Sequence, residues 1–330
     1  MINKFPFGKS GPAVACLGYG AMGLSGTYGA SEDAQGIATI RHALDLGMNM
    51  IDTSDAYGNG HNEMLIASAI KGRRDDAFIA TKFGIIVDEK ERSTDFHTGW
   101  GFTLKLNGTP EYAARAVDAS LKRLQVDVID LWYVHYPDPT TPIEVTVGAM
   151  ADAVKAGKVR HLGLSNVTAE QVRRAHRVHP VSAVQYEYSL WRREVETELL
   201  PTLRELGIAL VPWSPLGNGF LTGTVAAAGA IGADDMRQAI PRFAGNNLQA
   251  NVDRFAPFMA IAAELKVTPA QLALAWLLHQ GEDVFPIPGT RQAARVDENA
   301  HAATISIDAA TLHRIDLMAR PGLAAGGTLL

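Results

Sequence analysis

Cysteine is nearly absent from this chain. Cys16 is the only one in 330 residues, so no intramolecular disulfide can form and nothing points to an oxidising compartment. Flanked by Ala15 and Leu17, with no cation nearby in sequence, it reads as a buried strand residue and not as a reactive thiol. No run approaches the ~20 apolar residues that a membrane span requires, and residues 1–9 lack the apolar stretch of a signal peptide. No basic block occurs either. The 30 Lys and Arg are scattered singly among 35 Asp and Glu, giving a net charge of −5, which argues against a nucleic-acid or anionic-membrane partner. Nor does any Pro-, Gly- and Ser-rich linker separate the chain into halves. The expectation is a soluble, cytoplasmic protein acting on a small molecule.

What is present is a rhythm. With 47% hydrophobic residues the chain can bury a large core. Residues 5–17 read as a hairpin around Lys9-Ser10-Gly11-Pro12. Short apolar strands are predicted at 17–20, 49–52, 77–82, 128–134, 159–163, 183–185, 208–213 and 284–287. Helices are predicted at 33–46, capped by Ser31 and stopped by Gly47, and at 62–71, 110–124, 143–156 and 168–178. Others follow at 194–206, 251–265, 269–279, 291–303 and 308–318. Two long segments, 84–109 and 217–251, break the alternation and read as excursions from the rim. Eight strand–helix units predict an α/β fold, a (β/α)8 TIM barrel with an N-terminal hairpin and long loops at its C-terminal face. Residues 1–330 then form one domain; an open, doubly wound sheet is the alternative.

In such a barrel the strand ends and the loops after them form the active face. Asp52, Tyr57, Lys82 and His135 fall at those positions. Singly, each has an ordinary structural explanation: a turn cap, a rim aromatic, a solvated ammonium, a core histidine. Together they share one chemistry. A phenol with a pKa near ~10 is a poor acid at neutral pH; a nearby ammonium lowers that pKa, and a carboxylate can hold the ammonium. An imidazole can orient a carbonyl oxygen. The set suits protonation of a carbonyl oxygen as hydride reaches carbon, and not nucleophilic catalysis, since no activated serine or cysteine accompanies it. Gly18 and Gly20 begin a G-x-G-x-x-G pattern, but Gly23 is followed by Leu24-Ser25-Gly26 and not by a helix, so no Rossmann fingerprint is present.

The sequence resembles the aldo-keto reductases. The pieces that carry the resemblance are Leu17-Gly18-Tyr19-Gly20-Ala21-Met22-Gly23-Leu24-Ser25, Ile51-Asp52-Thr53-Ser54-Asp55-Ala56-Tyr57-Gly58, Ala80-Thr81-Lys82-Phe83-Gly84, Ser120-Leu121-Lys122-Arg123-Leu124, Asp130-Leu131-Trp132-Tyr133-Val134-His135, Gly163-Leu164-Ser165-Asn166, Gln185-Tyr186-Glu187-Tyr188-Ser189 and Ile287-Pro288-Gly289-Thr290-Arg291. They occur in the family's order over nearly the whole chain, and the flavour is similar to the bacterial and plant branch that includes perakine reductase and auxin-induced-type proteins.

The resemblance implies a barrel that reduces an aldehyde or ketone with NADPH. Tyr57 would be the general acid, Lys82 would lower its pKa, Asp52 would hold Lys82, and His135 would orient the carbonyl. It implies cofactor contacts from Gly20, Met22 and Asp52, from Ser165, Asn166 and Gln185 around the nicotinamide carboxamide, and from Trp213 stacked on the ring. Ser214, Leu216, Gly217 and Asn218 would follow the pyrophosphate. Gly289, Thr290, Arg291, Arg295, Glu298 and Asn299 would take the adenine end, with Arg291 and Arg295 on the 2′-phosphate. Tyr28, Trp100, Phe102, Tyr136 and Trp191 are candidate substrate-lining residues, favouring apolar or aromatic carbonyls; no metal is expected. Two departures from the family stand out: Asn218 where a basic residue is common, and Tyr136 where an arginine often follows the histidine. One alternative stays open, a cofactor-binding regulatory subunit of the channel-partner type with slow turnover.

Overall fold

The protein is described by a computed structural model covering residues 2–9, 11–225, 231–232 and 235–330. Ser10 of the expected hairpin turn, and residues 226–230 and 233–234 of the second excursion, lie outside the described residues. Strands β1 (Lys4–Pro6) and β2 (Ala13–Ala15) form the predicted antiparallel hairpin. Phe7, between them, packs its ring edge-on against Phe285 at 5.0 Å and tilted against Phe78 at 5.3 Å. The hairpin therefore plugs one end of the fold, its Phe7 and Val14 joining the inner core of Met50, Leu131, Tyr133 and Val211.

The remaining elements alternate. Strand β3 (Tyr19–Gly20) precedes α1 (Asp33–Asp45), β4 (Met50–Asp52) precedes α2 (His61–Ile70), and β5 (Phe78–Phe83) is followed by a two-stranded excursion, β6 (Thr94–His97) and β7 (Thr103–Leu106). Then come α3 (Pro110–Leu124), β8 (Ile129–Val134), α4 (Ile143–Lys155), β9 (Val159–Ser165), α5 (Ala169–Val178), β10 (Val181–Glu187), α6 (Leu199–Leu206) and β11 (Ala209–Trp213). Helices α7 (Asn246–Glu264), α8 (Pro269–Leu278), α9 (Ala293–His301) and α10 (Ala309–Met318) complete the chain. Every residue of β5 and β8 is buried, as expected of parallel strands covered on both faces. Strands β3, β4, β5, β8, β9, β10 and β11 lie side by side in that order, all parallel.

The ring is closed by residues 284–288. Phe285 and Ile287 donate to Leu210 and Pro212 of β11, while Pro286 and Pro288 accept from Gly18 and from Gly20 of β3. Prolines 286 and 288 supply carbonyls toward β3 but no N–H, so half the ladder is missing and the eighth strand is a bridged segment instead of a regular strand. The expected (β/α)8 barrel is the observed architecture. Among the described residues no single helix is long and apolar enough to cross a membrane.

Side-chain caps set several helix starts. Thr109 caps α3 with Pro110 in its first turn, and Thr168 and Thr268 form reciprocal capping boxes with Gln171 and Gln271. Other expectations change. Ser31 does not cap α1, since its hydroxyl turns back to the Leu24 carbonyl and Glu32 holds the cap position. The expected helix 194–206 breaks at Thr197-Glu198 into a 3-10 turn and α6. Helix α7 starts at Asn246, five residues earlier than the expected start at Asn251, because Gly245 takes a left-handed φ of 51° before it.

Inside the barrel, a Cβ built on Gly163 of β9 would lie 2.3 Å from the ring of Tyr133. Gly163→Ala is expected to destabilise the protein by about 1–3 kcal/mol through overpacking, read from its urea unfolding midpoint.

Candidate active site

The barrel brings its polar strand ends to one mouth. Asp52 ends β4, Lys82 is next to last in β5, and His135 follows β8 directly. Ser165 ends β9 with Asn166 after it, Gln185 lies in β10, and Trp213 ends β11. Tyr57 comes from the turn between β4 and α2. That turn is pinned from below: the Thr53 hydroxyl donates to Asn62 Oδ1 at 2.7 Å, and Asn62 Nδ2 donates to the Ala21 carbonyl at 2.9 Å. Glu63, fully buried, accepts from the Thr81 hydroxyl at 2.7 Å and from Arg123 Nε at 2.6 Å. The loop carrying Tyr57 is thereby fastened to β5 and α3.

Lys82 has no solvent exposure, and its three N–H donors are all engaged. Nζ donates to Asp52 Oδ1 at 2.5 Å, to the Thr53 carbonyl at 2.7 Å and to the Tyr57 hydroxyl at 3.2 Å. The other Asp52 oxygen accepts from Gln185 Nε2 at 2.7 Å. Burial pulls the Lys82 ammonium down and pushes the Asp52 carboxyl up from their ordinary values, and each charge opposes the shift of the other.

Tyr57 departs from the sequence expectation. Burial, reinforced by the carboxylates of Asp52 and Asp55, holds its phenol well above the ordinary value, whereas the ammonium alone was expected to lower it. Lys82 already compensates Asp52, and desolvation outweighs what remains of its pull. Tyr57 is thus neutral. Because its oxygen accepts from Lys82, its own proton is left to point elsewhere. His135 sits edge-on to the Tyr57 ring at 5.8 Å. Burial and the Lys82 charge depress its imidazole well below the usual histidine range, so it too is neutral.

These groups open on a cavity of about 570 Å³. Asp52, Tyr57 and His135 line it, and Lys82 supports them from behind. Its walls include the expected Gly20, Met22, Ser165, Asn166, Gln185, Trp213, Ser214, Leu216 and Asn218, and at the far end Gly289, Thr290, Arg291, Arg295, Glu298 and Asn299. Gly217 lies behind that wall, packed so closely on Trp191 that an added Cβ would be 2.5 Å from the indole. Asn166 serves three neighbours: its amide donates to the His135 carbonyl and the Ser165 hydroxyl and accepts from Trp213 Nε1.

Of the residues expected to line a substrate, Tyr28, Trp100, Phe102 and Tyr136 reach the cavity. Trp191 does not. It stacks on Phe220 at 4.3 Å and meets Phe243 edge-on, so it packs the loop behind the wall. Its neighbours from 188 to 192 are likewise absent from the wall. Tyr28 spans the mouth, its hydroxyl donating to Asn218 Oδ1 at 3.3 Å and its ring lying 5.4 Å from the guanidinium of Arg237. Arg237 itself escaped the sequence reading, as did Ile85, Leu104 and Leu329 on the wall. Leu329 is brought there by its carbonyl, which accepts from Gly99 at 2.8 Å. No periodicity marks these positions: Leu104 sits in the four-residue strand β7, Arg237 in a short 3-10 turn, and Ile85 and Leu329 outside any helix or strand.

The donor set fits an extended dinucleotide. Gly217, Asn218 and Gly219 have φ of 57°, 52° and 91°, a backbone turn of the kind that cradles anions. A Cβ at Gly20 or at Gly289 would collide with backbone carbonyls at 2.7 Å, so the floor between them admits only glycine. Arg237 lies beside the turn, and Arg291 and Arg295 lie at the other end.

Fold and site together define a (β/α)8-barrel protein with a buried Asp–Lys–Tyr set and a neutral imidazole on the wall of one cavity. The Aldo/keto reductase family model matches residues 16–320, and the chain belongs to that family. It is 41% identical over 329 residues to the probable aldo-keto reductase 1 of Glycine max, covering 99% of this chain and 91% of that one. Among solved structures it is similar to the glycerol dehydrogenase of Gluconobacter oxydans, with a TM-score of 0.83 and 26% identity over 99% and 98% of the two chains. It is also similar to an aldo-keto reductase of Klebsiella pneumoniae in complex with NADPH, with a TM-score of 0.75 and 25% identity over 100% and 99%.

Proposed function

We propose that this chain reduces an aldehyde or ketone to the alcohol with NADPH, using Tyr57 as the proton donor. The observation that carries the reading is the position of the Tyr57 hydroxyl. It is 3.2 Å from a fully buried ammonium, beside a neutral histidine, on the wall of a cavity of about 570 Å³. When bound, the nicotinamide supplies hydride to the carbonyl carbon. The chain's own residues do the rest. His135 receives the carbonyl oxygen, and Tyr57 gives it a proton as negative charge develops there. The Lys82 ammonium, fixed by Asp52, stabilises the phenolate that remains. Trp213 offers a ring face for the nicotinamide, and Ser165, Asn166 and Gln185 stand where its carboxamide would be oriented. Supporting the NADPH assignment, the relative from Klebsiella pneumoniae is described in complex with that cofactor.

Arg291 and Arg295 are assigned to the 2′-phosphate. In the structure Arg291 donates to the Gly29 and Ala30 carbonyls, and Arg295 pairs with Glu298 at 2.5 Å. Both are therefore held at the cavity wall with donors to spare. Replacing both with alanine is expected to weaken NADPH binding by about two orders of magnitude and NADH binding severalfold at most, as measured by titration of tryptophan fluorescence. Equal loss for both cofactors would contradict the assignment.

The same reading takes residues 1–330 as one barrel domain and, with the single buried thiol of Cys16, a cytoplasmic location. The same cavity wall carries Ile85, Trp100, Phe102, Leu104, Leu329 and Tyr136, the last stacked on His135, which supports an apolar or aromatic carbonyl as substrate. The test is a screen over aldehydes, ketones, quinones and keto-sugars, with NADPH consumed and alcohol formed in equal amounts.

A further inference from the structure

Ser54 stands between two titratable side chains. Its Oγ lies 3.2 Å from His135 Nδ1 and 3.3 Å from Asp55 Oδ1, and it accepts the backbone N–H of Ala56 at 3.2 Å. Ser54 is fully buried and His135 nearly so. A hydroxyl has one proton, so Ser54 can donate to His135 or to Asp55 but not to both. With Nδ1 turned to Ser54, Nε2 is the ring nitrogen left for the cavity, and it has no hydrogen-bond partner among the described residues. His135 is neutral and carries a single ring proton. Where that proton sits decides the chemistry: Nε2–H donates to a carbonyl oxygen, whereas a bare Nε2 repels it.

Asp55 decides where the Ser54 proton goes. Its half-buried carboxyl faces Glu63 from α2, Arg123 and Tyr112 from α3, Lys82 from β5 and Tyr57 from its own turn. Burial and the Glu63 carboxylate push it up to about 8, with Arg123 opposing. When ionised, Asp55 can only accept, and the charge-assisted bond captures the Ser54 proton. Ser54 then accepts from His135 Nδ1–H, and Nε2 is bare. When neutral, Asp55 donates to Ser54 Oγ, Ser54 donates to Nδ1, and the ring proton resides on Nε2. Passing from the second state to the first releases one proton to solvent, rotates the Ser54 hydroxyl and moves the ring proton from Nε2 to Nδ1.

We propose that Ser54 and Asp55 are positioning residues that fix the tautomer of His135, the Asp55 carboxyl having to be neutral for Nε2–H to face the substrate carbonyl. The kinetic side of this rests on the carbonyl-reducing reading; the tautomer itself does not. It is read directly from long-range ¹H–¹⁵N spectra of histidine-labelled protein, with the His135 signals assigned by their loss in His135→Asn. The spectra should show Nε2–H near about pH 6.5 and Nδ1–H near about pH 9.5, whereas Asp55→Asn, with no charge to capture the Ser54 proton, should stay in the Nε2–H form throughout. In kinetics, kcat/KM for the carbonyl should fall about tenfold per pH unit above about pH 8 in the parent chain, and this limb should be missing from Asp55→Asn. Ser54→Ala should lose roughly tenfold in kcat/KM at about pH 7, with NADPH affinity unchanged. One unchanging tautomer in the parent chain, or an alkaline limb in Asp55→Asn identical to the parent's, would overturn the proposal. A parent chain that turns over no carbonyl would refute the functional reading instead, and the spectra would still decide the tautomer.

Discussion

Tyr57→Phe is expected to lower kcat/KM for carbonyl reduction by about 10²–10⁴-fold while leaving NADPH affinity within about twofold. The substitution removes one oxygen and keeps the ring. The edge-on contact with His135 survives, and Lys82 retains Asp52 and the Thr53 carbonyl as partners. What is lost is, among the described residues, the only side-chain O–H at the cavity wall that is neutral, hydrogen-bonded to a buried ammonium and adjacent to His135. Folding should barely change, so the loss can be assigned to the proton transfer. A comparable fall in NADPH affinity would mean instead that Tyr57 shapes the cofactor site.

Lys82→Met is expected to cost both activity and stability. Removing one member of a buried ion pair leaves the other without compensation, at a cost of about 3–5 kcal/mol. Here the residue left behind is Asp52, which is 3% exposed and, among the described residues, would keep only the Gln185 amide as side-chain donor. The double variant Asp52→Leu with Lys82→Met should recover most of the lost stability, because it removes both desolvated charges together. Activity should stay lost in both variants, since neither can stabilise the phenolate of Tyr57. Urea unfolding separates the two effects: recovery of the midpoint without recovery of turnover is the expected pattern, and recovery of both would show that Lys82 acts only through folding.

Much of this was legible from residue order alone, and the reasons are local. Strands β5 and β8 are mostly apolar, with Lys82 near the end of one and His135 just after the other, and α3 is announced by Thr109-Pro110, so the βα rhythm and the strand-end tetrad could be read directly. The hairpin of β6 and β7 could not: each strand is only four residues long, and its alternation is too short to stand out from a polar, aromatic segment. The eighth strand was placed correctly, yet its two prolines leave it as a bridged segment. Trp191 was misassigned because neither charge nor period tells a wall from the layer behind it. Its stacking on Phe220 depends on how two distant loops meet. Arg237 was missed for the same reason, since its place at the cavity depends on contacts with the distant Asn218 and Tyr28 as well as with the nearby Asp235. The direction of the Tyr57 shift was misread because sequence displays nearby charge but not the depth of burial, and burial is the larger effect here.

The most direct measurement follows the transferred atom. NADPH carrying deuterium at the reactive carbon of its nicotinamide is incubated with the chain and a carbonyl it reduces, and the alcohol is analysed by mass spectrometry. The account predicts one deuterium on the carbinol carbon, product equal to cofactor consumed, and almost none formed by Tyr57→Phe. Tight NADPH binding with no labelled alcohol from any carbonyl, or label transfer undiminished in Tyr57→Phe, would contradict it.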